Sequence, residues 1–124
     1  MSHPIRITAA NVSLAAELND GPTARAILEA LPIEGTVSRW GDEIYFGIGV
    51  DQPEEPGAIP DVQVGDLAYW PPGRAFCLFF GPTPASDGAQ PRAASPVNVV
   101  GRALDDAAAL KSVPDGAMVR IAPA

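Results

Sequence analysis

The segment from Asp66 to Thr83 constrains the fold of this chain more than any other part of it. A short apolar run, Leu67–Trp70, enters a Pro-Pro-Gly turn and returns as a second apolar run, Ala75–Phe80, which Gly81 ends. Runs of this length bounded by Pro and Gly are typical of strands joined in a hairpin. The segment also holds three of the four Phe residues and the single Cys. It therefore predicts the central hairpin of an all-β core with a broad aromatic surface.

Most of the remaining chain is predicted to form further short strands. Their signal is a run of alternating or β-branched residues between turn residues. With the hairpin they make eight or nine strands, a pattern typical of a closed barrel or a sandwich. The predicted strands outside the hairpin are Ile5–Thr8, Asn11–Leu18, Thr36–Arg39, Glu43–Val50, Val62–Val64, Pro96–Leu104 and Ala117–Ala122. Loops are predicted over Asp51–Asp61 and Ala85–Ser95 from their composition.

Two helices are predicted between these strands. The main helix begins at Pro22 with Asp20 as its cap and ends before Pro32, because proline fits a first helical turn and stops a helix further on. Its apolar residues fall on one stripe, at Ala24, Ile27, Leu28 and Leu31. A second, short helix is predicted over Asp106–Lys111, capped by Asp105.

Size and charge limit what the protein can be. A chain of 124 residues predicts a single domain over residues 1–124. The net charge of −7, with eight basic residues of which no two are adjacent, disfavours nucleic acid and anionic membranes as partners. One cysteine permits no internal disulfide, which agrees with a reducing compartment. No signal peptide or membrane span is evident, so a cytoplasmic protein is expected.

Few residues suggest catalysis or metal binding. The single His3 lies near the terminus, and no cofactor motif or cluster of metal ligands is present, so neither a cofactor nor a metal is expected. Cys77 lies inside an apolar run without an evident base, which favours a buried structural thiol over a nucleophile. Asp42 and Glu43 are adjacent, so in a strand they point to opposite faces and cannot act as a paired acid and base.

The aromatic cluster is the remaining candidate site. Phe76 and Phe79 lie on opposite faces of one strand, so that strand is either covered on both sides or lines a ligand groove. In the second case we expect an apolar groove with Arg74, or else Arg39 or Asp42, as its polar group. The predicted ligand-binding residues are Trp40, Tyr69, Trp70, Arg74, Phe76, Cys77 and Phe79.

Four segments give the chain a resemblance to a known family. Trp40–Phe46, Gly65–Gly73, Phe76–Pro84 and Pro96–Gly101 resemble the corresponding segments of the small prokaryotic cyclophilin-like domains. The resemblance extends over nearly the whole chain. It implies a closed eight-stranded cyclophilin-like barrel with one main helix and one short helix. It implies no particular activity, because the activity of these small domains is not established.

The more distant likeness to the prolyl isomerases is partial. Pro72–Phe79 resembles the isomerase strand that carries the apolar substrate pocket, which implies that Phe76 and Cys77 lie at the pocket. Phe79 stands where the isomerases have a glutamine, and Pro71 where they have their essential arginine. Their later pocket tryptophan and histidine have no counterpart, because both Trp residues precede residue 71 and the only His is residue 3.

Three functions are consistent with these observations. The first is a non-catalytic binding domain whose apolar groove holds a small molecule or a peptide. The second is a weak or diverged prolyl isomerase, which the missing arginine and histidine disfavour, because isomerisation needs a donor to the prolyl nitrogen. The third is a structural module whose aromatic face forms a homo-oligomer. Fold alone does not separate them.

Overall fold

The computed structural model describes residues 2–124, which form ten strands, one α-helix and two short 3-10 helices. The 3-10 helices are Pro71–Gly73 and Ala107–Ser112, and the α-helix, α1, is Pro22–Ala30. The strands are β1 (His3–Ala9), β2 (Val12–Leu18), β3 (Ile33–Thr36), β4 (Ser38–Arg39), β5 (Glu43–Gly47), β6 (Ile59–Asp61), β7 (Asp66–Trp70), β8 (Ala75–Phe79), β9 (Arg92–Ala103) and β10 (Met118–Pro123).

The strands form one antiparallel sheet that does not close. Its order is β3-β10-β1-β2-β9-β7-β8-β5-β4, and β6 pairs with β9 beside this path. The mainly β architecture with a main and a short helix is as predicted. The prediction of a closed, eight-stranded barrel is wrong, because the sheet has ten strands and ends at β3 and β4, which do not pair with each other.

Val37 explains why the predicted strand Thr36–Arg39 is divided between β3 and β4. It lies between β3, which pairs with β10, and β4, which pairs with β5. Its N–H donates to the Ala117 carbonyl and its own carbonyl accepts from the Gly116 N–H, each at 2.8 Å. The turn before β10 therefore holds Val37, and the chain changes its pairing partner there.

A second difference concerns the segment before the hairpin. The predicted strand Val62–Val64 does not form, and β6 lies instead at the end of the predicted loop Asp51–Asp61. The Asp66 side chain accepts from the Gln63 N–H at 2.9 Å, and the Asp66 N–H donates back to the Gln63 carbonyl at 3.0 Å. These two bonds make residues 63–66 a turn, with Gly65 at a φ of 95°.

The predicted central hairpin is confirmed. β7 pairs with β8 from Leu67 opposite Leu78 to Trp70 opposite Ala75, and the pair lies between β9 and β5. Pro71–Gly73 form the connecting 3-10 turn, which ends at Arg74 with a φ of 47°. The peptide bonds preceding Pro71, Pro82 and Pro96 are trans; within residues 2–124 the cis bond is Leu31–Pro32.

The main helix is confirmed, but its predicted cap is wrong. α1 begins at Pro22 after Gly21, which has no side chain to cap it, and ends one residue before Leu31. Asp20 instead contacts His3, at 2.8 Å from its ring nitrogen. The helix packs against β9 and β2.

The short helix forms one residue later than predicted, and it is a 3-10 helix. Asp106 caps it by accepting from the Ala108 N–H, whereas Asp105 accepts from the Ala15 N–H on β2. Within residues 2–124, none of the helices has the length and apolar character that a bilayer span requires.

The sheet buries side chains on both of its faces around the hairpin. Alternate residues of β8 point to opposite sides, and all five are buried. Phe76 and Leu78 belong to the main core, which extends to α1 and β10. The other face carries a second, smaller cluster, formed by Val62, Ala68, Ala75, Cys77, Phe79, Ala93 and Val97.

Candidate functional site

A cavity opens on the smaller cluster, on the face of the hairpin that points away from the main core. Its volume is about 200 Å³ and its lining is mostly apolar. Strands β5, β7, β8 and β9 each contribute to it, together with the turn before β5. The lining residues are Trp40, Glu43, Tyr45, Trp70, Cys77, Ala93, Ala94 and Val97.

Strand register brings the polar part of the lining together. Tyr45 of β5 lies opposite Cys77 of β8, and Glu43 lies opposite Phe79, two residues along on the same face. Trp40 joins them through a tight turn, since its N–H donates to the Glu43 carbonyl at 3.0 Å and its carbonyl accepts from the Glu43 N–H at 3.2 Å. Gly41 permits this turn with a φ of 61°.

Glu43 is the residue that gives this cavity a chemical character. Its side chain is buried, with the residue only 5% exposed. Burial raises the pKa of its carboxyl group from 4.5 to about 7, and hydrogen bonding with the Cys77 thiol offsets part of the increase. At neutral pH, Glu43 can therefore either hold a proton or carry a negative charge inside an apolar site.

The adjacent cysteine is not an activated nucleophile. Cys77 is buried, and burial raises the pKa of its thiol well above the usual range. The neighbouring Glu43 carboxylate raises the thiol pKa further, by its charge and by its hydrogen bond. Cys77 therefore stays protonated near neutral pH and acts as a hydrogen-bond donor rather than as an attacking thiolate.

The aromatic wall is fixed mainly through Trp70. Its indole N–H donates to the Ser95 hydroxyl of β9 at 2.7 Å, which orients the ring. Gly73 lies against the ring of Trp70, so closely that an added Cβ would clash with it. Trp40, Tyr45 and Trp70 are each half-buried and so offer part of their rings to the cavity.

Three of the predicted ligand-binding residues meet at this cavity, namely Trp40, Trp70 and Cys77. The other four do not line it. Tyr69 and Phe76 belong to the main core on the opposite face, where the Tyr69 hydroxyl donates to the Val50 carbonyl at 2.7 Å. Neither can contact a ligand in this cavity, because alternate residues of a strand point to opposite sides.

Phe79 and Arg74 lie elsewhere for different reasons. Phe79 is on the correct face but fully buried within the smaller cluster, beneath the surface that lines the cavity. The Arg74 side chain is 64% exposed and lies 3.5 Å from the Asp51 carboxylate. Arg39, the other expected polar group, donates to the Val113 carbonyl at 2.8 Å and packs over Phe80.

The polar group of the cavity is thus an acid, Glu43, whereas the sequence favours an arginine. Sequence reasoning missed Glu43 and Tyr45, together with Ala93, Ala94 and Val97 of β9. Their shared face on β5 was the available signal for the first two. Among residues 2–124, no group of three or more His, Cys, Asp or Glu side chains is placed to hold a metal ion.

Comparison with known proteins identifies the family. The sequence profile of the cyclophilin-like family matches residues 3–122. The chain belongs to the cyclophilin-like family. A relative of solved structure, a hypothetical protein from Archaeoglobus fulgidus studied in solution, is 44% identical, with a TM-score of 0.83. The match covers 99% of this chain and 95% of that one. Among curated proteins, none matches the chain significantly.

The resemblance to the small cyclophilin-like domains is therefore confirmed. Pro71, which the resemblance to the isomerases places at the position of their essential arginine, begins the 3-10 turn between β7 and β8. Arg74, the nearest arginine in sequence, pairs with Asp51 and does not line the cavity. No arginine is among the residues that form this cavity.

Proposed function

We propose that this cyclophilin-like domain binds a small molecule, or a single side chain of a peptide, in the cavity formed by β5, β7, β8 and β9. The observation that carries the proposal is an open, mostly apolar cavity with three aromatic side chains and one buried carboxyl group. Apolar walls with a few polar groups, one of them with a perturbed pKa, are typical of ligand sites.

The size of the cavity limits the ligand. Pockets for drug-sized ligands have volumes of roughly 300–1,000 Å³. The volume here, about 200 Å³, is smaller. It suits a compact molecule or one side chain of a peptide better than an extended peptide segment. We also propose that the protein acts in the reducing environment of the cytoplasm, because its single cysteine is buried and unpaired.

The same proposal includes the absence of prolyl isomerase activity. Isomerisation is promoted by a hydrogen-bond donor at the prolyl nitrogen, and no arginine or other basic residue lines this cavity to serve as that donor. A protease-coupled isomerisation assay with Xaa-Pro peptides is expected to give the rate of buffer alone. A rate clearly above buffer would support the isomerase alternative.

Ligand screening by thermal shift and fluorescence tests the proposal. Both Trp residues of the chain line the cavity, so a bound ligand changes the intrinsic emission. A ligand at about 100 times its dissociation constant stabilises the folded state by roughly 2.7 kcal/mol. Xaa-Pro peptides, small carboxylates, amines, nucleotides and sugars make a suitable set.

A variant at the cavity rim tests whether ligands bind in this cavity, and a matched variant elsewhere is its control. Ala94 lines the cavity and is exposed, so Ala94→Leu is expected to obstruct the opening without disturbing the core. Ala109→Leu, on the exposed side of the second 3-10 helix, is the matched substitution and is expected to bind normally. If no compound in the screen binds the well-folded protein, the binding function is contradicted. That result would favour the alternative in which the aromatic face forms a homo-oligomer.

A further inference from the structure

The cavity contains a buried acid and no base. Its titratable side chains are Glu43 and Tyr45 of β5 and Cys77 of β8, while β7 and β9 contribute only Trp70, alanines and a valine. An ionised carboxyl group away from water is costly unless a positive charge accompanies it. No residue that lines the cavity supplies such a charge.

Arg39, the arginine nearest to Glu43 in the sequence, binds other groups. Arg39 lies 3.5 Å from the Asp42 carboxylate and donates to the carbonyls of Lys111 and Val113. Its guanidinium also lies 5.1 Å from the centre of the Phe80 ring. No basic residue lines the cavity, so a ligand that enters it can bring the positive charge that an ionised Glu43 lacks.

The walls beside this acid are suited to a cation. Aromatic rings carry negative potential on their faces, and Trp binds cations most strongly. Two Trp and one Tyr ring surround the cavity that Glu43 enters. A neutral ligand would lack the charge interaction with an ionised Glu43, and an anion would be repelled both by that carboxylate and by the net charge of −7.

We infer that the ligand of this cavity is a small organic cation, an ammonium group with compact apolar substituents, held by the Glu43 carboxylate and by the rings of Trp40, Tyr45 and Trp70. This inference rests on the proposed binding function and names its ligand class. The same ammonium chemistry is present in free alkylamines and in the side chain of lysine. In either case the charged head enters the cavity and the apolar substituent lies against the rings.

The inference requires that binding depend on pH in one direction. Glu43 has to be ionised to hold a cation, and burial places its pKa at about 7 in the free protein. Affinity for a permanent cation is therefore expected to rise as the pH increases through about 7 and then to level off. Cys77 stays protonated over this range, because its pKa is raised.

Paired ligands of similar size, one cationic and one neutral, provide the test. Tryptophan fluorescence titrations of the intact protein compare tetramethylammonium with tert-butanol, and n-butylammonium with n-butanol, at constant ionic strength and a pH of about 8. We expect each cation to bind at least about tenfold more tightly than its neutral counterpart. An arm with Nα-acetyl-lysine methylamide distinguishes the sources, since binding tighter than n-butylammonium indicates a lysine side chain.

Two carboxylate variants localise the effect. Glu43→Gln keeps the shape of the side chain and is expected to lose the preference for the cation, whereas Glu29→Gln removes one exposed charge from α1 and is expected to keep it. Circular dichroism and thermal unfolding of both variants verify that they are folded. Retained preference in folded Glu43→Gln would overturn the inference.

The remaining outcomes distinguish a failure of this inference from a failure of the proposed binding function. If the neutral compounds bind as tightly as the cations, and Ala94→Leu abolishes both, the cavity is a ligand site but not a cation site, and only this inference fails. If none of these compounds and no member of the ligand screen binds the folded protein, both the inference and the proposed function fail.

Discussion

Glu43 is the residue whose charge state affects both the stability and the chemistry of the domain. Its carboxyl group is buried among aromatic and apolar side chains, and no basic residue lines the same cavity. A group placed in this way favours its neutral form. The folded protein therefore holds a proton on Glu43 at pH values where the unfolded chain has already lost it.

The first prediction follows from this difference in proton affinity. Below about pH 4.5, Glu43 is protonated in both states and costs nothing. Between about 4.5 and 7 the unfolded chain ionises while the folded protein does not, so the free energy of unfolding falls as the pH rises, and above about 7 the loss is complete. The total loss is on the order of 3 kcal/mol.

Comparison with Glu43→Gln isolates this contribution from that of the other carboxyl groups. Urea unfolding of both proteins is measured from about pH 4.5 to about pH 8. The variant gains stability relative to the wild type as the pH rises, by roughly the amount stated above. A difference in unfolding free energy that is constant over this range would contradict the raised pKa of Glu43.

The second prediction concerns the reactivity of Cys77. The thiol is buried, and its pKa is raised by burial and by Glu43. Iodoacetamide at about pH 8 is therefore expected to alkylate the folded protein roughly 100-fold or more slowly than the chain in concentrated guanidinium chloride. Mass spectrometry measures both rates. Folded Glu43→Gln is expected to react faster than the wild type, because the carboxylate no longer opposes ionisation of the thiol.

The residues of the cavity were only partly predictable from the sequence. Trp40, Trp70 and Cys77 are recognisable because aromatic residues and a lone thiol concentrate around one hairpin. The sequence does not predict Glu43 as a site residue, because an acid that begins a strand is most often exposed. Its burial comes from β8 and β9, which are distant in sequence, so no local pattern reveals it. The prediction that Tyr69 and Phe76 belong to the site is wrong for this cavity, because composition does not tell which face of the hairpin is the core.

At the scale of secondary-structure elements, predictability depended on how local each element is. α1 is predictable because its apolar stripe and the prolines at its start and beyond its end lie within a segment of eleven residues, 22–32. The hairpin of β7 and β8 was recognised because its turn is adjacent to both strands. The split at Val37 and the pairing of β6 with β9 depend on hydrogen bonds to distant segments, and no propensity encodes them.

The third prediction belongs to the contact between β2 and β9. Gly101 of β9 lies opposite Leu18, and a Cβ built on it would clash with the Glu17 carbonyl oxygen. Because backbone and not a flexible side chain occupies that space, Gly101→Ala has to separate the two strands. We expect a loss of at least about 2 kcal/mol in the free energy of unfolding.

A second strand glycine provides the control for this substitution. Gly47 of β5 is exposed, and a Cβ built on it would have no atom within 4 Å. Gly47→Ala is therefore expected to change stability by no more than about 0.5 kcal/mol. Urea denaturation compares the two variants. Equal stabilities would mean that β2 and β9 are not as close at Gly101 as the structure describes.

At the scale of the whole molecule, Asn98 connects three parts of the chain that are remote in sequence. Its side-chain amide donates to the Thr23 hydroxyl of α1 and to the Pro53 carbonyl, each at 3.0 Å. Its oxygen accepts from the Glu55 N–H at 2.8 Å. Asn98 is only 1% exposed, so these bonds are made away from water. They attach both α1 and the loop between β5 and β6 to the middle of β9.

The fourth prediction tests this connection. Asn98→Ala leaves the Glu55 N–H and the Pro53 carbonyl without this partner, and each unsatisfied buried group costs about 1–3 kcal/mol. The Thr23 hydroxyl loses the bond from Asn98 but still donates to the Glu55 carboxylate. We expect a total loss of about 2–4 kcal/mol and faster hydrogen exchange at the Glu55 amide, because the loop is released before the sheet unfolds.

Asn19→Ala is the matched substitution. The Asn19 side chain donates to the Val99 carbonyl at 3.1 Å and accepts from the Gly21 N–H at 2.9 Å, but it is exposed, so water replaces the lost bonds. Its cost is expected to stay below about 1 kcal/mol. The two asparagines make similar bonds and differ chiefly in their access to water. Similar losses in the two variants would therefore contradict a burial-dependent role for Asn98, whereas a large loss at Asn98 alone would show that one buried amide holds the helix and the loop to the sheet.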